Sequence, residues 1–214
     1  MPACLKNKRS PMGDLLAAGG WLMLPIVICS VLGLAIVIER AWMLRRDRVA
    51  PAALVAQLPQ LAVRVPLTPA DRKSLEAHSP LGRVWSAVID SKADPIELQR
   101  EQAEEAGRVA AQDMGRYLNT LGTIAAITPL LGLLGTVAGM IHIFAGMSET
   151  GVGDTQALAA GIGQALITTA AGLCVAIPAL AAYRYFSGCI EQRALTLERL
   201  ALRLMSAQRQ RVRP

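Results

Sequence analysis

Charged residues are missing from two long stretches of this sequence. Residues 118–148 and 157–182 contain no Asp, Glu, Lys or Arg, although 18% of the whole chain is charged. Aromatic residues make up only 4% of the chain, and the 53% that are hydrophobic are gathered in blocks. Crossing the apolar core of a bilayer takes about 20 apolar residues, so these blocks exclude an ordinary soluble domain and indicate a membrane protein.

Sequence signatures of catalysis are missing as well. The chain has no nucleotide-binding loop of Walker type, no HExxH motif, no Cys-x-x-Cys pair and no assignable Ser, His and Asp set. Its four cysteines lack metal-ligand spacing, and Cys29 and Cys174 lie inside apolar stretches, where cysteine behaves as a small hydrophobic residue. The sequence therefore predicts no enzyme, no cofactor, no metal site and no disulfide framework.

Three apolar stretches are long enough to cross a membrane, at residues 15–38, 118–146 and 158–186. Trp21 and Trp42 lie near the two ends of the first stretch, as interfacial anchors do. No small-residue cleavage site follows this stretch, so we expect a retained membrane helix rather than a signal peptide. The sequence thus predicts three membrane spans.

Charges beside the spans predict their orientation. The net charge of +6 comes from basic residues that flank apolar blocks, which indicates topology signals rather than nucleic-acid binding. Four arginines follow the first span within residues 39–48, whereas the loop at 147–157 has two acidic residues and no basic one. We therefore expect the N-terminal segment 1–14 and the loop 147–157 outside, and residues 39–117 and 187–214 inside. If Met12 is the natural start, the bias across the first span is clear; a start at Met1 nearly cancels it.

The region between the first two spans is predicted to be helical. Five prolines divide residues 49–91 and favour short helices joined by turns over a sheet. Asp94, Pro95 and Glu97 form a helix-start pattern with Asp94 as N-cap, and no breaker follows before Pro129. We therefore expect a stalk from Pro95 to Arg116, roughly 30 Å long, that continues into the second span.

The C-terminal region repeats apolar residues at alternating spacings of four and three. The residues in this series are Ile190, Ala194, Leu197, Ala201 and Leu204. This period is that of a helix-packing seam. It predicts that the third membrane helix continues inside the cell and packs against the stalk or against a neighbouring subunit, in an oligomer-forming contact.

Small and polar residues form a stripe along each of the last two spans. The first stripe is Thr128, Gly132, Gly135, Gly139 and His142; the second is Gly161, Gln164, Thr168, Ala171 and Val175, flanked by Thr169, Gly172 and Ala176. Such stripes arise from close helix packing, for which the glycines at 132, 135, 139, 161 and 172 are suited. They also arise along a polar pathway, and the spacing leaves both interpretations open.

The amino-acid sequences of these two spans resemble those of a known family. The segments LNTLGTIAAITPLLGLLGTVAGMI and GIGQALITTAAGLCVAIPAL resemble the second and third membrane helices of the ExbB/TolQ/MotA proton-channel family, nearest to its ExbB branch. Weaker similarity extends to WLMLPIVICSVLGLAIVIERAWMLRR, SPLGRVW and EEAGR. The resemblance implies an all-α membrane protein with three transmembrane helices and long cytoplasmic helical extensions, assembled as a pentameric ring in the bacterial inner membrane.

The resemblance also implies partners. Rings of the ExbB branch surround single helices of an ExbD-like subunit, whose membrane Asp titrates, and drive a TonB-like protein that energises transport across the outer membrane. A TolQ-like subunit of the Tol-Pal envelope system and, less well matched, a MotA-like subunit are variants of this plan. A membrane scaffold that conducts nothing is the alternative from a different class.

The resemblance carries over to particular residues. Thr136 and Thr169 match polar channel residues of the family, and we expect Thr168 and Gln164 to line the same pathway. Relatives commonly have a glutamate where this chain has Gln164, which cannot titrate. His142 lies near the outer end of its span and is interpreted as an interfacial or packing residue rather than a proton carrier.

Overall fold

The computed structural model describes residues 20–63, 67–150 and 155–210. The regular structure in these ranges is helical throughout, with no strand. The α-helices are α1 (Met23–Met43), α2 (Arg46–Val49), α3 (Ala52–Ala56), α4 (Leu58–Leu61), α5 (Pro69–His78), α6 (Pro80–Asp90), α7 (Ile96–Met114), α8 (Leu118–Thr150) and α9 (Thr155–Gln210), with a 3-10 turn at Ser91–Ala93. The predicted N-terminal segment 1–14 and the first part of the predicted span 15–38 lie outside the described residues.

Three of these helices are long and apolar enough to cross a membrane. The candidate spans are Met23–Met43, Leu118–Ala145 and Ala159–Gln210. This confirms the three spans predicted from the sequence. Large hydrophobic side chains stay exposed along them, including Leu130, Ile141 and Leu166 at 62–64% exposure, as expected of surfaces that face lipid or other apolar partners.

The chain divides into two compact units. The apolar unit comprises Met1–Val37 and Thr120–Tyr183, and the polar unit comprises Ile38–Asn119 and Arg184–Pro214. The described part of the apolar unit is built from α1, α8 and α9. The described part of the polar unit contains the short helices, α7 and the C-terminal part of α9.

The short helices of the polar unit confirm the proline-based prediction. Thr68 and Ser79 are the N-caps of α5 and α6, and each is followed by a proline in the first turn. The Ser79 hydroxyl accepts a hydrogen bond from the Gly82 amide at 3.1 Å. Gly82 also brings α6 against α5, because a Cβ at this position would overlap the Leu75 carbonyl oxygen. Only glycine fits so close a backbone approach.

The core of the polar unit is organised around Trp85. This side chain is fully buried, and its indole Nε1 donates a hydrogen bond to the Leu200 carbonyl oxygen at 3.2 Å. Whereas Trp85 links α6 to α9, a buried amide pair links α7 to α9, since Gln99 Nε2 donates to Gln208 Oε1 at 3.0 Å. Buried polar groups with matched partners fix which surfaces of two helices meet.

The C-terminal seam packs within the chain. Leu197, Ala201 and Leu204 are at most 3% exposed and join Ala103 and Ala110 of α7 in one hydrophobic core. The predicted continuation of the third membrane helix is confirmed, because α9 runs without interruption to Gln210. The sequence leaves two packing partners open for this seam, the stalk and a neighbouring subunit. The structure shows contact with residues 96–114, which belong to the predicted stalk. These seam residues are therefore not free for an oligomer contact.

The predicted continuous stalk is wrong. α7 ends at Met114, and a turn at Gly115 to Tyr117 separates it from α8. Tyr117 has a φ of 62°, in the left-handed region that L-residues seldom adopt, so an α-helix cannot continue through it. The predicted Asp94 N-cap is also wrong, since α7 begins at Ile96 with Pro95 at the cap position and no side-chain cap.

The predicted loop at 147–157 is shorter than expected. α8 extends to Thr150 and α9 begins at Thr155. Residues 151–154 lie outside the described residues. The acidic residue Glu149, assigned to the loop from the sequence, therefore belongs to the last turn of α8.

Candidate functional site

The predicted glycine stripes are the places where α8 and α9 approach each other within the apolar unit. A Cβ on Gly132 would lie 3.0 Å from Thr169 Cα, and one on Gly172 would lie 2.7 Å from the Thr128 carbonyl oxygen. Because these neighbours are backbone atoms, they cannot rotate away as a side chain could. The two helices therefore need glycine at both positions to keep their separation.

The remaining glycines of the stripes face side chains. A Cβ on Gly135 would lie 2.5 Å from Thr168 Cγ2, and one on Gly139 would lie 3.3 Å from Ala165 Cβ. A Cβ on Gly161 would lie 2.5 Å from Ile143 Cδ1. All five glycines named from the sequence thus contact the opposite helix of the same chain. Their role in contacts between subunits stays a prediction.

Thr169 links the two helices by a hydrogen bond. Its hydroxyl Oγ1 donates to the Gly132 carbonyl oxygen on α8 at 2.9 Å. The side chain is half-buried, so part of it remains open to the surroundings of the chain. The hydroxyl oxygen keeps two lone pairs after donating its proton, and it can therefore still accept a hydrogen bond from water or from a protonated acid.

Thr168 and Thr136 use their hydroxyls within their own helices. Thr168 is 1% exposed and donates to the Gln164 carbonyl oxygen at 3.0 Å. Thr136 is half-buried and donates to the Leu133 carbonyl oxygen at 2.7 Å. Thr168 is buried where it faces Gly135 of α8, whereas the other two threonines predicted to line the pathway, Thr136 and Thr169, keep accessible surface.

Gln164 is exposed on α9. Its Nε2 would lie 3.0 Å from a Cβ placed on Gly20, which precedes α1 and has a φ of 72°. Gly20 is not among the residues singled out from the sequence. The pattern that points to it is the pair Gly19-Gly20 immediately before an apolar stretch. The backbone of Gly20 thus lies close to the Gln164 amide.

The chemical range of the site is narrow. It offers hydroxyl oxygens, one amide and backbone carbonyls, and residues 118–148 and 157–182 supply no Asp, Glu, Lys or Arg. Among the residues that the structure describes, no group of three His, Cys, Asp or Glu side chains could hold a metal ion. His142, the last residue of the first stripe, is exposed near the end of its span. Such a site can hold water and accept hydrogen bonds, but it needs an acid from elsewhere to carry a proton by titration.

The chain matches a known protein family. The model of the MotA/TolQ/ExbB proton channel family matches residues 76–199, more than half of the chain. This segment includes the break at Gly115 to Tyr117, both glycine stripes and all four predicted lining residues.

Several relatives are named as ExbB or ExbB-like proteins. An ExbB-like biopolymer transport protein of Synechocystis sp. is 36% identical over 170 residues, which are 78% of this chain and 66% of the relative. The biopolymer transport protein ExbB of Salmonella typhimurium is 34% identical over 158 residues, 65% of each chain. An ExbB biopolymer transport protein of Vibrio cholerae is 30% identical over 174 residues, 78% of this chain and 75% of the relative.

The match to the first two relatives spans slightly less than two thirds of their length. The family model nevertheless matches more than half of this chain, and the relative from Vibrio cholerae is 30% identical over 75% of its own length. The chain belongs to the MotA/TolQ/ExbB proton channel family.

Proposed function

We propose that this chain is the ring-forming, ExbB-type subunit of a proton-driven motor in the bacterial inner membrane. The observation that carries the proposal is the polar face of α8 and α9: hydroxyl oxygens with free lone pairs, within residues 118–148 and 157–182, which contain no carboxylate. Such a face completes a proton pathway only if another chain supplies the acid. An ExbD-like subunit with an Asp in its membrane helix fits this requirement.

In this proposal Thr136 and Thr169 receive hydrogen bonds from the partner. Their hydroxyl protons are directed to backbone carbonyls, so the oxygen lone pairs are what they present to a neighbour. A protonated Asp can donate to these oxygens, and a charged one cannot. The two protonation states of the partner would then bind the face differently, and each charge moved supplies about 2.3 kcal/mol per 100 mV of membrane potential.

The proposed assembly is a pentameric ring around ExbD-like helices. The ring drives a TonB-like protein, which energises transport across the outer membrane. Support comes from the family and from the apolar surface that each chain leaves exposed on its spans. Copurification with the products of neighbouring genes, followed by the mass of the intact complex, tests this assembly. A mass that corresponds to a monomer would contradict it.

The proposed orientation has the N-terminus in the periplasm and the C-terminus in the cytoplasm. Arg45, Arg46 and Arg48 are exposed just after α1, where the positive-inside rule places the cytoplasm. A cysteine introduced at position 151, in a variant lacking the four native cysteines, should react with a membrane-impermeant maleimide in cells whose outer membrane alone is permeable. If labelling requires a permeabilised inner membrane, the orientation is the opposite of the one proposed.

Two alternatives remain to be tested against this proposal. A TolQ-like subunit of the Tol-Pal envelope system would use the same membrane machinery, and the identity of the copurified partner separates it from the ExbB type. A scaffold that conducts nothing is favoured by one observation: the Thr168 and Thr169 hydroxyls both bond backbone carbonyls, as packing residues do. Proton flux measured with and without the partner distinguishes the scaffold from the motor.

A further inference from the structure

An open groove of about 980 Å³ runs between α7 and the C-terminal part of α9 in the polar unit. Its floor is made of small and apolar residues, among them Ala103, Ala111, Ala194 and Ala201. Leu195 and Leu202 also line it and are 52% and 45% exposed. Because these leucines are exposed beside a floor of alanines, side chains of another molecule can pack over them.

Acidic residues dominate the edges of this groove. Glu101, Glu191 and Glu198 line it, and none of them forms an ion pair with another described side chain. The two arginines of the lining are already paired with neighbours on α7, Arg100 with Glu104 and Arg108 with Glu105. The groove therefore presents unpaired carboxylates above an apolar floor, which favours an occupant that is basic and has long aliphatic stems.

A complementary basic face lies on another side of α9. Arg199 and Arg203 are one turn apart and exposed, and neither forms an ion pair within the described residues. At 100° per residue, Arg203 lies about 140° around the helix from Glu198, so the two charges point to different neighbours. Arginine stems can cover small apolar residues while the guanidinium groups reach carboxylates.

We propose that the groove between α7 and α9 receives the Arg199 and Arg203 face of a second copy of this chain. This inference rests on the proposed homo-oligomer and names the cytoplasmic surfaces through which its subunits meet. A contact between two identical grooves would set carboxylates against carboxylates. The charges thus favour a contact between unlike faces, which closes into a ring when the rotation between subunits allows.

Cysteine cross-linking tests the pairing directly. In full-length chains without native cysteines, one population carries Glu198→Cys and the other Arg203→Cys, with different affinity tags, and both are coexpressed with the ExbD-like partner. We expect a disulfide between the two tags after mild oxidation, and at least ten-fold less dimer from either variant expressed alone. Arg45→Cys, exposed elsewhere in the polar unit, replaces Arg203→Cys as the matched control and should not cross-link to position 198.

A charge exchange gives a second readout. Arg199→Glu with Arg203→Glu should lower the fraction of intact oligomer at least several-fold, and adding Glu191→Arg with Glu198→Arg to the same chain should restore it. An intact wild-type ring without the 198–203 cross-link would overturn the pairing while leaving the proposed ring in place. Cross-linking of position 198 to itself, or only to the partner subunit, would overturn it equally. A wild-type chain that is monomeric would instead contradict the proposed function.

Discussion

The guanidinium of Arg40 donates a hydrogen bond from Nη1 to the carbonyl oxygen of Met114 at 3.0 Å. Met114 is the last residue of α7, and Arg40 lies in the last turn of α1 and is 2% exposed. The carbonyls at the end of a helix lack partners within the helix and carry partial negative charge. A buried cation at this point satisfies them and stabilises the end of α7 where the chain turns.

Other groups hold Arg40 in place. Its Nη2 donates to Glu39 Oε1 at 2.8 Å, and its Nη1 lies 3.4 Å from the Asp113 carbonyl oxygen. Its Cζ is also 5.8 Å from the centre of the Tyr117 ring, the residue with positive φ. A cation over an aromatic ring is attracted to it, which contributes to keeping Tyr117 in an otherwise unfavourable conformation.

Replacing Arg40 should therefore destabilise this turn. We expect Arg40→Met to lower the free energy of unfolding by about 1.5–3 kcal/mol, the usual contribution of hydrogen bonds from a charged group. Hydrogen exchange should become faster at the amides of residues 113–118. Arg45→Met, at an exposed arginine, serves as the control and should change neither quantity. Unchanged exchange in Arg40→Met would show that the guanidinium does not hold the turn.

The contact between α8 and α9 can be tested with two glycines of the same helix. Gly172→Ala places a methyl group against the Thr128 carbonyl oxygen, so we expect a loss of about 1–3 kcal/mol from overpacking. Gly163 has no atom within 4 Å of the corresponding position. Gly163→Ala should be neutral or slightly stabilising, because alanine favours a helix more than glycine does. Thermal unfolding in detergent measures both, and equal midpoints would contradict the packing described.

The pathway interpretation makes a separate prediction for Thr169. Thr169→Val keeps the shape of the side chain but removes the hydroxyl that donates to the Gly132 carbonyl oxygen. We expect normal assembly with the partner, a stability loss of about 0.5–1.5 kcal/mol, and at least a ten-fold loss of energised uptake. Thr169→Ser retains the hydroxyl and should preserve most of the activity, and Gln164→Ala should be milder than Thr169→Val. Full uptake in Thr169→Val at wild-type abundance would leave that hydroxyl with a packing role alone.

The sequence was sufficient for the elements set by composition and period. The three spans follow from apolar length. The seam at Leu197, Ala201 and Leu204 follows from a helical repeat, and the burial of these residues against α7 confirms it. The glycine stripes indicated close packing. They could not indicate the partner, since a stripe is the same whether it meets a helix of its own chain or of another.

The break between α7 and α8 was not predictable from local preference. Gly115 is tolerated inside helices, and Tyr117 is not a residue that usually takes a positive φ. Arg40 was interpreted from the sequence as one of several topology signals, and nothing in the pattern separated it from Arg45, Arg46 and Arg48. Its role depends on a contact with residues more than 70 positions away. Tertiary contacts of this kind outweigh local propensity and leave no short-range mark.

The central claim is that this chain lines a proton pathway whose acid belongs to a partner, and proton flux tests it most directly. Vesicles would contain the chain with its ExbD-like partner, the chain with a partner whose membrane Asp is replaced by Asn, or the chain alone, each under an imposed potential that is negative inside. A pH-sensitive dye inside the vesicles reports proton entry. The account predicts entry above that of empty vesicles only with the intact partner. Equal flux in all three preparations, or none with the intact partner, would contradict it.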